Sequence, residues 1–571
     1  MTGVWHSEIP LPDYPANLAR MLNENAARFA EGPIYQEVHD GRMEPLPWAW
    51  FQAEVAVIQA WLQTGGFAVG DRLAILSRNR REMLELELAV MALGGIAVPI
   101  FAGYSPDQTN ALVEFCRPAI VAVADQSQYD KLTSPDAFSA VIHFDNISAQ
   151  SGTNQVAFTE LLAHSTTEPA IAGNDIPTGT VALMMYTSGT MGKPKCVQLT
   201  HGNILSQQAA MRVLWNLSAS DRLLSYLPWH HSFGGIFEKY AAITNGAVLS
   251  LEHGFGKDLE VLLENWRRVK PTIFFSVPRI YQEIITRTAQ DPEIDRLIFH
   301  DQLRFIFTAA APLPSNISAV FEQRGIPVIE GWGLTETSPC CTVTDPTLER
   351  EPGAVGRPIP GVDLKLADDG EILVKGANVM TGYFDNPEAT AEAFTDDGWF
   401  RTGDVGEFTA TGLRLISRRD RIFKLSNAEK VVPAEIENLI AADCVFLAQA
   451  YVTGGGRDFP VVLLFPNRAM LSMLPDSSRL KDGCQCPRSL DELASCLKNC
   501  LRLMNGTISA RFARPQVALL LDRELSIDNA ELTPSMKLAP NVMGKIFKAH
   551  IDYLYCEGEQ PEQKTYVIQL V

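Results

Sequence analysis

The segment YTSGTMGKPK, from Tyr186 to Lys195, is the most informative stretch of the chain. It follows the apolar run VALMMY (181–186), which is typical of a buried strand. Hydroxyls and bare backbone N–H groups can wrap a polyphosphate, glycines let the backbone approach it, and lysines offset its charge. The spacing is not that of a Walker A loop, because Gly189 and Gly192 are too close together. The segment predicts a phosphate-binding loop, and the alternative is a flexible surface turn.

Two later segments carry polar groups suited to a nucleotide. EGWGLTETSP (330–339) places Thr335 and Glu336 just after Trp332. An indole can stack on a purine, a hydroxyl can bond a phosphate oxygen, and a carboxylate can hold Mg²⁺. WFRTGDVGEF places Asp404 between two glycines, where it can accept hydrogen bonds from ribose hydroxyls. Taken singly, each segment also fits a simpler interpretation, a loop around a core tryptophan or an aspartate in a turn.

Helical and strand-like patterns alternate along the first part of the chain. LARMLNENAARFA (18–30) predicts an amphipathic helix and GDRLAILSRN predicts a strand that enters a loop. REMLELELAVMALGGIAVPIF predicts a helix, a glycine pair and a buried strand. PAIVAVAD (118–125) is a further short strand-like run. This alternation predicts an α/β architecture with largely parallel sheets, whose ligands bind at the carboxyl ends of the strands.

The pattern changes after about Phe400. GEFTATGLRLISRRDR predicts two strands around a tight turn, and VVPAEIENLIAADC predicts a helix that begins at Pro433. We therefore predict a large N-terminal domain over residues 1–419, built of stacked, mostly parallel sheets with helices. A small, mobile α/β C-terminal domain is predicted over residues 420–571.

Composition excludes several classes of protein. Of the 571 residues 46% are hydrophobic and 20% charged, as in ordinary globular proteins. The formal net charge of −19 repels phosphate backbones, so nucleic-acid binding is not expected. No apolar run reaches the roughly 20 residues of a membrane span, and no secretory signal is visible. Ten cysteines are too few for a disulfide-dense scaffold. We expect a cytoplasmic protein with at most peripheral membrane contact.

In this order and spacing, the three nucleotide segments resemble the adenylate-forming superfamily of acyl-CoA synthetases, luciferases and peptide-synthetase adenylation domains. The resemblance covers nearly the whole chain, from GDRLAILSRN and ALGGIAVPI to TPSMK near the C-terminal end. Four features resemble the long-chain fatty acyl-CoA synthetases in particular: VKPTIFFSVPRIYQEI (269–284), GRPIPGVDLKL (356–366), NVMTGYFDNPEAT (378–390) and LTPSMKL (532–538). The resemblance implies an AMP-forming acid–thiol ligase for a medium- or long-chain fatty acid, with ATP, Mg²⁺ and coenzyme A.

The resemblance also implies a role for individual residues. Phosphate contacts are expected from Thr187, Ser188, Gly189, Thr190, Gly192 and Lys195, base contacts from Ala310, Ala311 and Trp332, and ribose contacts from Asp404 and Arg418. Thr335 would contact the α-phosphate, and Glu336 would ligate Mg²⁺. His231 of LPWHHSFGG matches the histidine beside the acyl carboxylate, although an isolated histidine is more often a core residue. Lys537 of TPSMK matches the mobile lysine that bridges ATP and carboxylate, and Asp420 falls at the hinge between domains.

The chain departs from the family pattern at several positions. Cys196 and Met191 replace a usual glycine and threonine of the phosphate loop, and alanines replace glycines in TAAAPLP. Asn427 and Ala428 replace glycines at the wall of the pantetheine tunnel, which leaves open a carrier-protein acceptor or a reaction that stops at acyl-AMP. Four clustered cysteines do not have the spacing of a common zinc module, and we expect them to be reduced: Cys484, Cys486, Cys496 and Cys500.

Three alternatives to a fatty acid–CoA ligase remain at this stage. The first is an aryl-acid or acyl-AMP ligase that loads an acyl carrier protein, and a luciferase-like oxygenase is a remote second. The third is a catalytically weakened nucleotide- or lipid-binding relative, against which the retained Lys195, Glu336, Asp404 and Lys537 argue. Acyl chain length is not fixed by the sequence, although the glycine pair after the HHSF run is expected to leave space near the acyl entrance.

Overall fold

The structure, a computed structural model, describes residues 3–39, 41–148, 154–164, 170–187, 195–309, 313–351, 353–472, 486–526, 529, 531–532, 538–559 and 564–570. The chain divides into two compact units. The first comprises Met1–Ala367, Leu373–Thr402 and Phe408–Arg414, and the second comprises Asp368–Ile372, Gly403–Glu407 and Leu415–Val571. An α/β chain with one large and one smaller unit is confirmed, whereas the boundary between residues 419 and 420 stays a prediction.

The strands follow one another along the whole chain. Up to the middle they are β1 (Trp5–His6), β2 (Pro33–His39), β3 (Arg42–Pro47), β4 (Arg72–Ser77), β5 (Ile96–Phe101), β6 (Ile120–Val123), β7 (Ala140–His143), β8 (Gln155–Ala157), β9 (Val181–Thr187), β10 (Lys195–Thr200), β11 (Arg222–Ser225), β12 (Val248–Leu251), β13 (Ile273–Ser276) and β14 (Phe305–Thr308). They continue as β15 (Val328–Trp332), β16 (Thr342–Val343), β17 (Arg357–Pro358), β18 (Val362–Leu366), β19 (Glu371–Gly376), β20 (Gly382–Tyr383), β21 (Phe400–Phe408), β22 (Leu413–Arg418), β23 (Phe423–Lys424), β24 (Lys430–Val431), β25 (Leu447–Thr453), β26 (Val461–Pro466), β27 (Val517–Leu521) and β28 (Thr565–Gln569).

Helices alternate with these strands. They are α1 (Leu18–Phe29), α2 (Trp48–Thr64), α3 (Arg81–Ala92), α4 (Pro106–Cys116), α5 (Gln126–Tyr129), α6 (Phe158–Leu162), α7 (His201–Trp215), α8 (Lys239–Thr244), α9 (Leu259–Val269), α10 (Pro278–Gln290), α11 (Pro292–Ile298), α12 (Ser315–Gln323), α13 (Pro387–Ala393), α14 (Pro433–Asp443), α15 (Arg468–Ser472), α16 (Leu490–Thr507), α17 (Pro540–Ile546) and α18 (Lys548–Leu554). A π-helix, Phe233–Glu238, directly precedes α8. Among the described residues, no helix is both long and apolar enough to cross a membrane.

Two large sheets form the first unit. One has eight strands in the order β20-β10-β9-β5-β4-β6-β7-β8, and the other has nine in the order β17-β16-β15-β14-β13-β11-β12-β2-β3. Neighbouring strands from β9 to β8 are parallel, as are those from β15 to β2, and the outer strands are antiparallel. A third sheet has the order β1-β18-β19-β21-β22, and the division between the units falls within its last strands. The predicted mostly parallel sheets are thereby confirmed.

The central strands and the helix between them show why this sequence folds locally as it does. Strand β4 reads as an uninterrupted apolar run because both faces of a parallel sheet are covered, and Leu73 to Leu76 are fully buried. Helix α7 begins where Thr200 accepts the backbone N–H of Asn203 at 3.1 Å and Asn203 accepts that of Thr200 at 2.9 Å. Most of α7 is buried, so strand β10 is followed by a rigid helix.

The second unit carries a four-stranded sheet in the order β25-β26-β27-β28, and β23 pairs with β24 beside it in sequence. Side chains of β26 alternate between two apolar clusters, as the two-residue period of a strand requires. Val462 and Leu464 pack in the cluster that includes Leu497 of α16. Leu463 and Phe465 belong to the other cluster, with helices α17 and α18. The helix predicted from Pro433 is α14, which begins at that residue.

Candidate active site

The two ends of the predicted phosphate loop face each other across a pair of strands. Thr187 at the end of β9 is the cross-strand partner of Lys195 at the start of β10. The Lys195 ammonium lies 4.8 Å from the ring centroid of Tyr383, which belongs to the neighbouring strand β20. The loop residues named from the sequence lie outside the described residues: Ser188, Gly189, Thr190 and Gly192. A positive charge is therefore fixed at the edge of the eight-stranded sheet, where this loop begins and ends.

The carboxylate of Glu336 lies at the same edge. Glu336 occupies a short 3₁₀ turn, Thr335–Thr337, that follows β15, and its side chain is only 8% exposed. Tyr383 donates its hydroxyl hydrogen bond to Glu336 Oε1 at 2.8 Å. The Glu336 carbonyl also accepts the backbone N–H of Met380 at 2.8 Å. Tyr383 therefore contacts both Lys195 and Glu336 and connects the phosphate loop to the proposed magnesium ligand.

A second pair of hydroxyls joins Thr335 to the histidine segment. Thr335 Oγ1 donates to Ser232 Oγ at 3.2 Å, and Ser232 directly follows His231. The His231 backbone N–H donates to the Pro228 carbonyl at 3.1 Å, and its Nδ1 accepts from the Phe233 backbone N–H at 3.3 Å. Thr335 and the His231 turn, which are about a hundred residues apart in sequence, are thus adjacent. The structure brings together Lys195, Glu336, Thr335 and His231 within the first unit.

The neighbouring histidine has a different environment. The ring of His230 lies against Phe101, with centroids 4.6 Å apart. Desolvation lowers the pKa of His230 to about 3, with a smaller contribution from His231. His230 is therefore neutral at physiological pH and packs against an aromatic ring, whereas the role of His231 stays a prediction.

The glycine pair after Ser232 does not serve the purpose expected of it. A Cβ on Gly235 would lie 1.9 Å from the Trp229 carbonyl oxygen, and one on Gly234 would lie 2.6 Å from the Leu227 carbonyl oxygen. Both glycines are required because the π-helix packs so closely against the backbone of the preceding turn that no side chain fits. They therefore leave no free volume at this point. The expectation of free volume near an acyl entrance was wrong at these two positions.

Trp332 ends strand β15 and is 7% exposed. Its glycine neighbour Gly333 permits a close approach of the following chain, since a Cβ there would lie 1.7 Å from the Pro339 carbonyl oxygen. The EGWGLTETSP segment therefore turns back closely on itself next to the indole. Its adenine-stacking role stays a prediction, and Ala310 and Ala311, predicted on the other side of the base, lie outside the described residues.

The predicted ribose pair lies in the second unit. Arg418 Nη1 contacts Asp404 Oδ1 at 3.0 Å, and Arg418 Nε lies 3.8 Å from Asp420 Oδ1. Gly403 adopts a left-handed φ of 69° next to this guanidinium. Asp420 belongs to a 3₁₀ turn, Arg419–Arg421, in which Arg419 pairs with Glu371 at 3.0 Å. Asp404 and Arg418 are adjacent, as the resemblance implies, whereas their contact with ribose and the hinge role of Asp420 stay predictions.

The remaining residues named from the sequence belong to the C-terminal part of the chain. Lys537 and Cys484 lie outside the described residues. Ala428 has a left-handed φ of 66°, the backbone conformation that favours the glycine expected at this position. Its exposed methyl group is carried by a glycine-like turn. Cys496 and Cys500 lie one turn apart on α16, with sulfurs 3.9 Å apart, and the described residues contain no group of three side chains suited to hold a metal.

Sequence reasoning missed Tyr383 and Ser232 as site residues. Tyr383 lies within the NVMTGYFDNPEAT segment, yet it is 47 positions from the Glu336 carboxylate that it contacts. Ser232 follows His231 directly, which was the available signal for it. Neither contact can be read from spacing, because each joins segments that are far apart in the sequence and meet only through tertiary packing.

The assembled groups suit a magnesium–nucleotide complex. Glu336, Thr335 and Ser232 offer only oxygen atoms, which are the ligands that Mg²⁺ prefers. Lys195 offers a positive charge for phosphate oxygens in a chain whose net charge is −19. Because the carboxylate is buried and hydrogen-bonded, it is held in one orientation. The arrangement can neutralise and align a polyphosphate.

Comparison with known proteins identifies the class. The sequence pattern of AMP-binding enzymes matches residues 22–384, and that of the AMP-binding enzyme C-terminal domain matches residues 420–483. The first match covers more than half of the chain. The protein therefore belongs to the AMP-binding enzyme family of adenylate-forming ligases, which confirms the resemblance stated from the sequence.

Individual relatives include ligases named for long-chain fatty acids. A long-chain-fatty-acid–CoA ligase of Mycobacterium tuberculosis is 26% identical over 94% of this chain and 97% of its own length. The human long-chain-fatty-acid–CoA ligase 1 is 30% identical over 66% of this chain and 61% of its own length.

Among solved structures, the AMP complex of O-succinylbenzoate coenzyme A synthetase from Bacillus subtilis has a TM-score of 0.72 at 23% identity, covering 93% of this chain and 98% of that one. The adenylation domain of a Mycobacterium chelonae carboxylate reductase has a TM-score of 0.76 at 18% identity, covering 95% and 91%. These two structures show the shared fold.

Removing the Tyr383 hydroxyl tests the link between the phosphate loop and Glu336. Tyr383→Phe is expected to lower the rate of adenylation about 10-fold, as for other groups that orient a metal ligand, and to raise the Mg²⁺ concentration needed for half-maximal rate. Pyrophosphate release as a function of Mg²⁺ measures both. Tyr35→Phe is a matched control, because Tyr35 donates to Glu37 at the same 2.8 Å elsewhere in the first unit. Equal effects of the two variants would refute a specific role for Tyr383.

Proposed function

We propose that the protein is an ATP-dependent fatty acid–CoA ligase that converts a medium- or long-chain carboxylate into acyl-AMP and then into acyl-CoA. The observation that carries the proposal is the convergence of Lys195, Thr335 and Glu336, joined through Tyr383 and Ser232. Relatives named as long-chain-fatty-acid–CoA ligases match almost the full chain and support the substrate class.

In the first step, a carboxylate oxygen attacks the α-phosphorus of ATP and pyrophosphate leaves. A fatty carboxylate is already ionised at pH 7, so the step requires charge neutralisation and alignment and no general base. Lys195 would hold the outer phosphates and Thr335 the α-phosphate. Glu336 would hold Mg²⁺, which when bound neutralises phosphate charge. Lys537 would bridge the carboxylate and the α-phosphate.

In the second step, the thiol of coenzyme A attacks the acyl carbonyl, a thioester forms and AMP leaves. One site can serve both steps in turn if the small domain rotates about Asp420, as the resemblance implies. Substitution of this hinge would then impair thioester formation more than adenylation. The glycine-like turn at Ala428 is consistent with a passage for the pantetheine arm, since the backbone there follows the course a glycine would take.

Aromatic side chains form a buried cluster next to the His231 turn. Phe233 follows Ser232 and packs against Phe275 and Phe307, with ring centroids 6.3 and 5.7 Å apart. Phe237, one turn further, lies 4.9 Å from Phe307. These rings are at most 6% exposed and form a packed core cluster behind the His231 turn, so the proposed substrate class rests on the relatives named above.

The compartment and partners follow from the same proposal. We place the reaction in the cytoplasm, because ten cysteines in 571 residues are too few for a disulfide-dense secreted scaffold. The partners are a fatty acid, ATP and coenzyme A, with an acyl carrier protein as the alternative acceptor. Nucleic acid is not among them, since a net charge of −19 repels it.

Product analysis by mass spectrometry tests the proposal. The protein is incubated with Mg-ATP and carboxylates from acetate to oleate, together with aromatic acids, with and without coenzyme A. Acyl-CoA from the longer aliphatic acids is the expected result. Acyl-AMP that accumulates despite coenzyme A would move the second step to a carrier protein, and preference for an aromatic acid would favour the aryl-acid alternative. Failure to form any adenylate would refute the proposal.

A further inference from the structure

The turn that carries His231 is held at its start by a buried asparagine from the other large sheet. Asn79 follows β4 and is 4% exposed. Its Nδ2 donates to the Leu227 carbonyl at 2.8 Å, and its Oδ1 accepts the Trp229 backbone N–H at 2.9 Å. One side chain thus satisfies a donor and an acceptor of a segment about 150 residues away. Both backbone groups lie within four residues of His231.

A second buried side chain from the same part of the chain, in helix α3 just after Asn79, holds the other end of this segment. Glu87 of α3 accepts Lys239 Nζ at 2.5 Å and the Tyr240 hydroxyl at 3.0 Å, and all three side chains are fully buried. The Lys239 ammonium also lies 5.3 Å from the Trp229 ring centroid, which ties the two ends together. A buried charge without its partner is costly, so this contact anchors the start of α8 firmly.

Between these two anchors the chain forms the π-helix, a rare conformation that is frequent at functional sites. His231 accepts the Gly235 backbone N–H at 2.7 Å, and Ser232 accepts from Thr335 at 3.2 Å. The position of the imidazole relative to Thr335 therefore depends on where the turn begins. Asn79 fixes that beginning, whereas Glu87 fixes the far end of the helix.

We propose that Asn79 is a positioning residue for adenylation, which acts by holding the Leu227–Trp229 backbone so that the His231 imidazole keeps its place beside the Thr335 turn. This inference rests on the proposed function, since it gives Asn79 the task of placing His231 for that reaction. A displaced reacting group costs up to about 100-fold in rate, so the effect is expected on catalysis and on carboxylate binding. ATP binding, which involves the loop at Lys195, is expected to change little.

A double-mutant cycle tests the inference. Asn79→Ala is expected to lower kcat/KM for the carboxylate in the adenylation half-reaction about 10- to 100-fold, with the KM for ATP unchanged. On a His231→Ala background, Asn79→Ala is expected to add almost no further loss, because the group that it positions is gone. Asn245→Ala is the matched control: Asn245 is 8% exposed and its Nδ2 donates to the Ala241 carbonyl at 2.9 Å at the far end of α8. This control is expected to retain wild-type kinetics.

The outcomes separate this inference from the proposed function. If Asn79→Ala multiplies the loss of His231→Ala in full, or if folded Asn79→Ala or His231→Ala keeps wild-type adenylation, the positioning role is overturned. If Asn79→Ala does not fold, the cycle is run with Asn79→Asp, which keeps an acceptor for the Trp229 N–H and loses the donor to Leu227. An absence of adenylation by the wild-type protein would instead reject the proposed function itself.

Discussion

Replacing Lys537 with alanine is expected to slow acyl-adenylate formation about 100- to 1000-fold, the scale for the loss of one preorganised charged donor. The reaction of supplied acyl-AMP with coenzyme A is expected to keep its rate. The reason is that the resemblance implies a lysine that bridges the attacking carboxylate and the α-phosphate during adenylation and moves away with the small domain before thioester formation. Separate assays of pyrophosphate release and of thioester formation measure the two steps.

Lys545→Ala is the control for this experiment. Lys545 is an exposed lysine of α17, eight positions further along the chain. Its replacement is expected to leave both half-reactions unchanged. If Lys537→Ala reduced both steps equally, or if Lys545→Ala caused the specific loss, the assignment from the TPSMK segment would be wrong.

Glu336→Gln is expected to lower the adenylation rate by a similar factor of about 100 to 1000, because glutamine keeps the shape but removes the negative charge. The carboxylate is buried and accepts the Tyr383 hydroxyl at 2.8 Å, which holds it in one orientation. Excess Mg²⁺ is expected to restore part of the rate, since the loss concerns affinity for the ion. Initial rates over a range of Mg²⁺ concentrations measure this.

The control for Glu336 is Glu37→Gln. Glu37 also accepts a tyrosine hydroxyl at 2.8 Å, from Tyr35 in β2, and its loss is expected to have no effect on catalysis. Together with the smaller effect of Tyr383→Phe, the variants form a graded series. A Glu336→Gln enzyme with normal Mg²⁺ dependence and rate would exclude the carboxylate as the metal ligand.

Much of the fold could be predicted because it depends on local patterns. The helix predicted over 18–30 is α1, and the apolar runs predicted as strands are β4, β5, β6 and β9. The two strands predicted around a tight turn before residue 420 are β21 and β22, which are neighbours in one sheet. Buried parallel strands produce continuous apolar runs, and these are visible in a single sequence.

The remaining features depend on pairings over long distances in the sequence. Strand β1 pairs with β18, so that Trp5 lies opposite Leu364, and no local pattern announces that register. In the site, Asn79 reaches Trp229, and Tyr383 reaches Glu336, only after the large sheets have formed. The glycine pair at Gly234 was misread for the same reason, since the backbone that it approaches is fixed by tertiary packing.

Carboxylate-dependent exchange of labelled pyrophosphate into ATP, without coenzyme A, tests the central claim most directly. It reports reversible acyl-adenylate formation and requires Lys195, Thr335 and Glu336 to act together on one nucleotide. The account predicts exchange with medium- or long-chain fatty acids that is abolished by Lys195→Ala. Exchange that is absent with every carboxylate, in a folded protein that binds ATP, would contradict the account and leave a nucleotide-binding relative that does not activate acids.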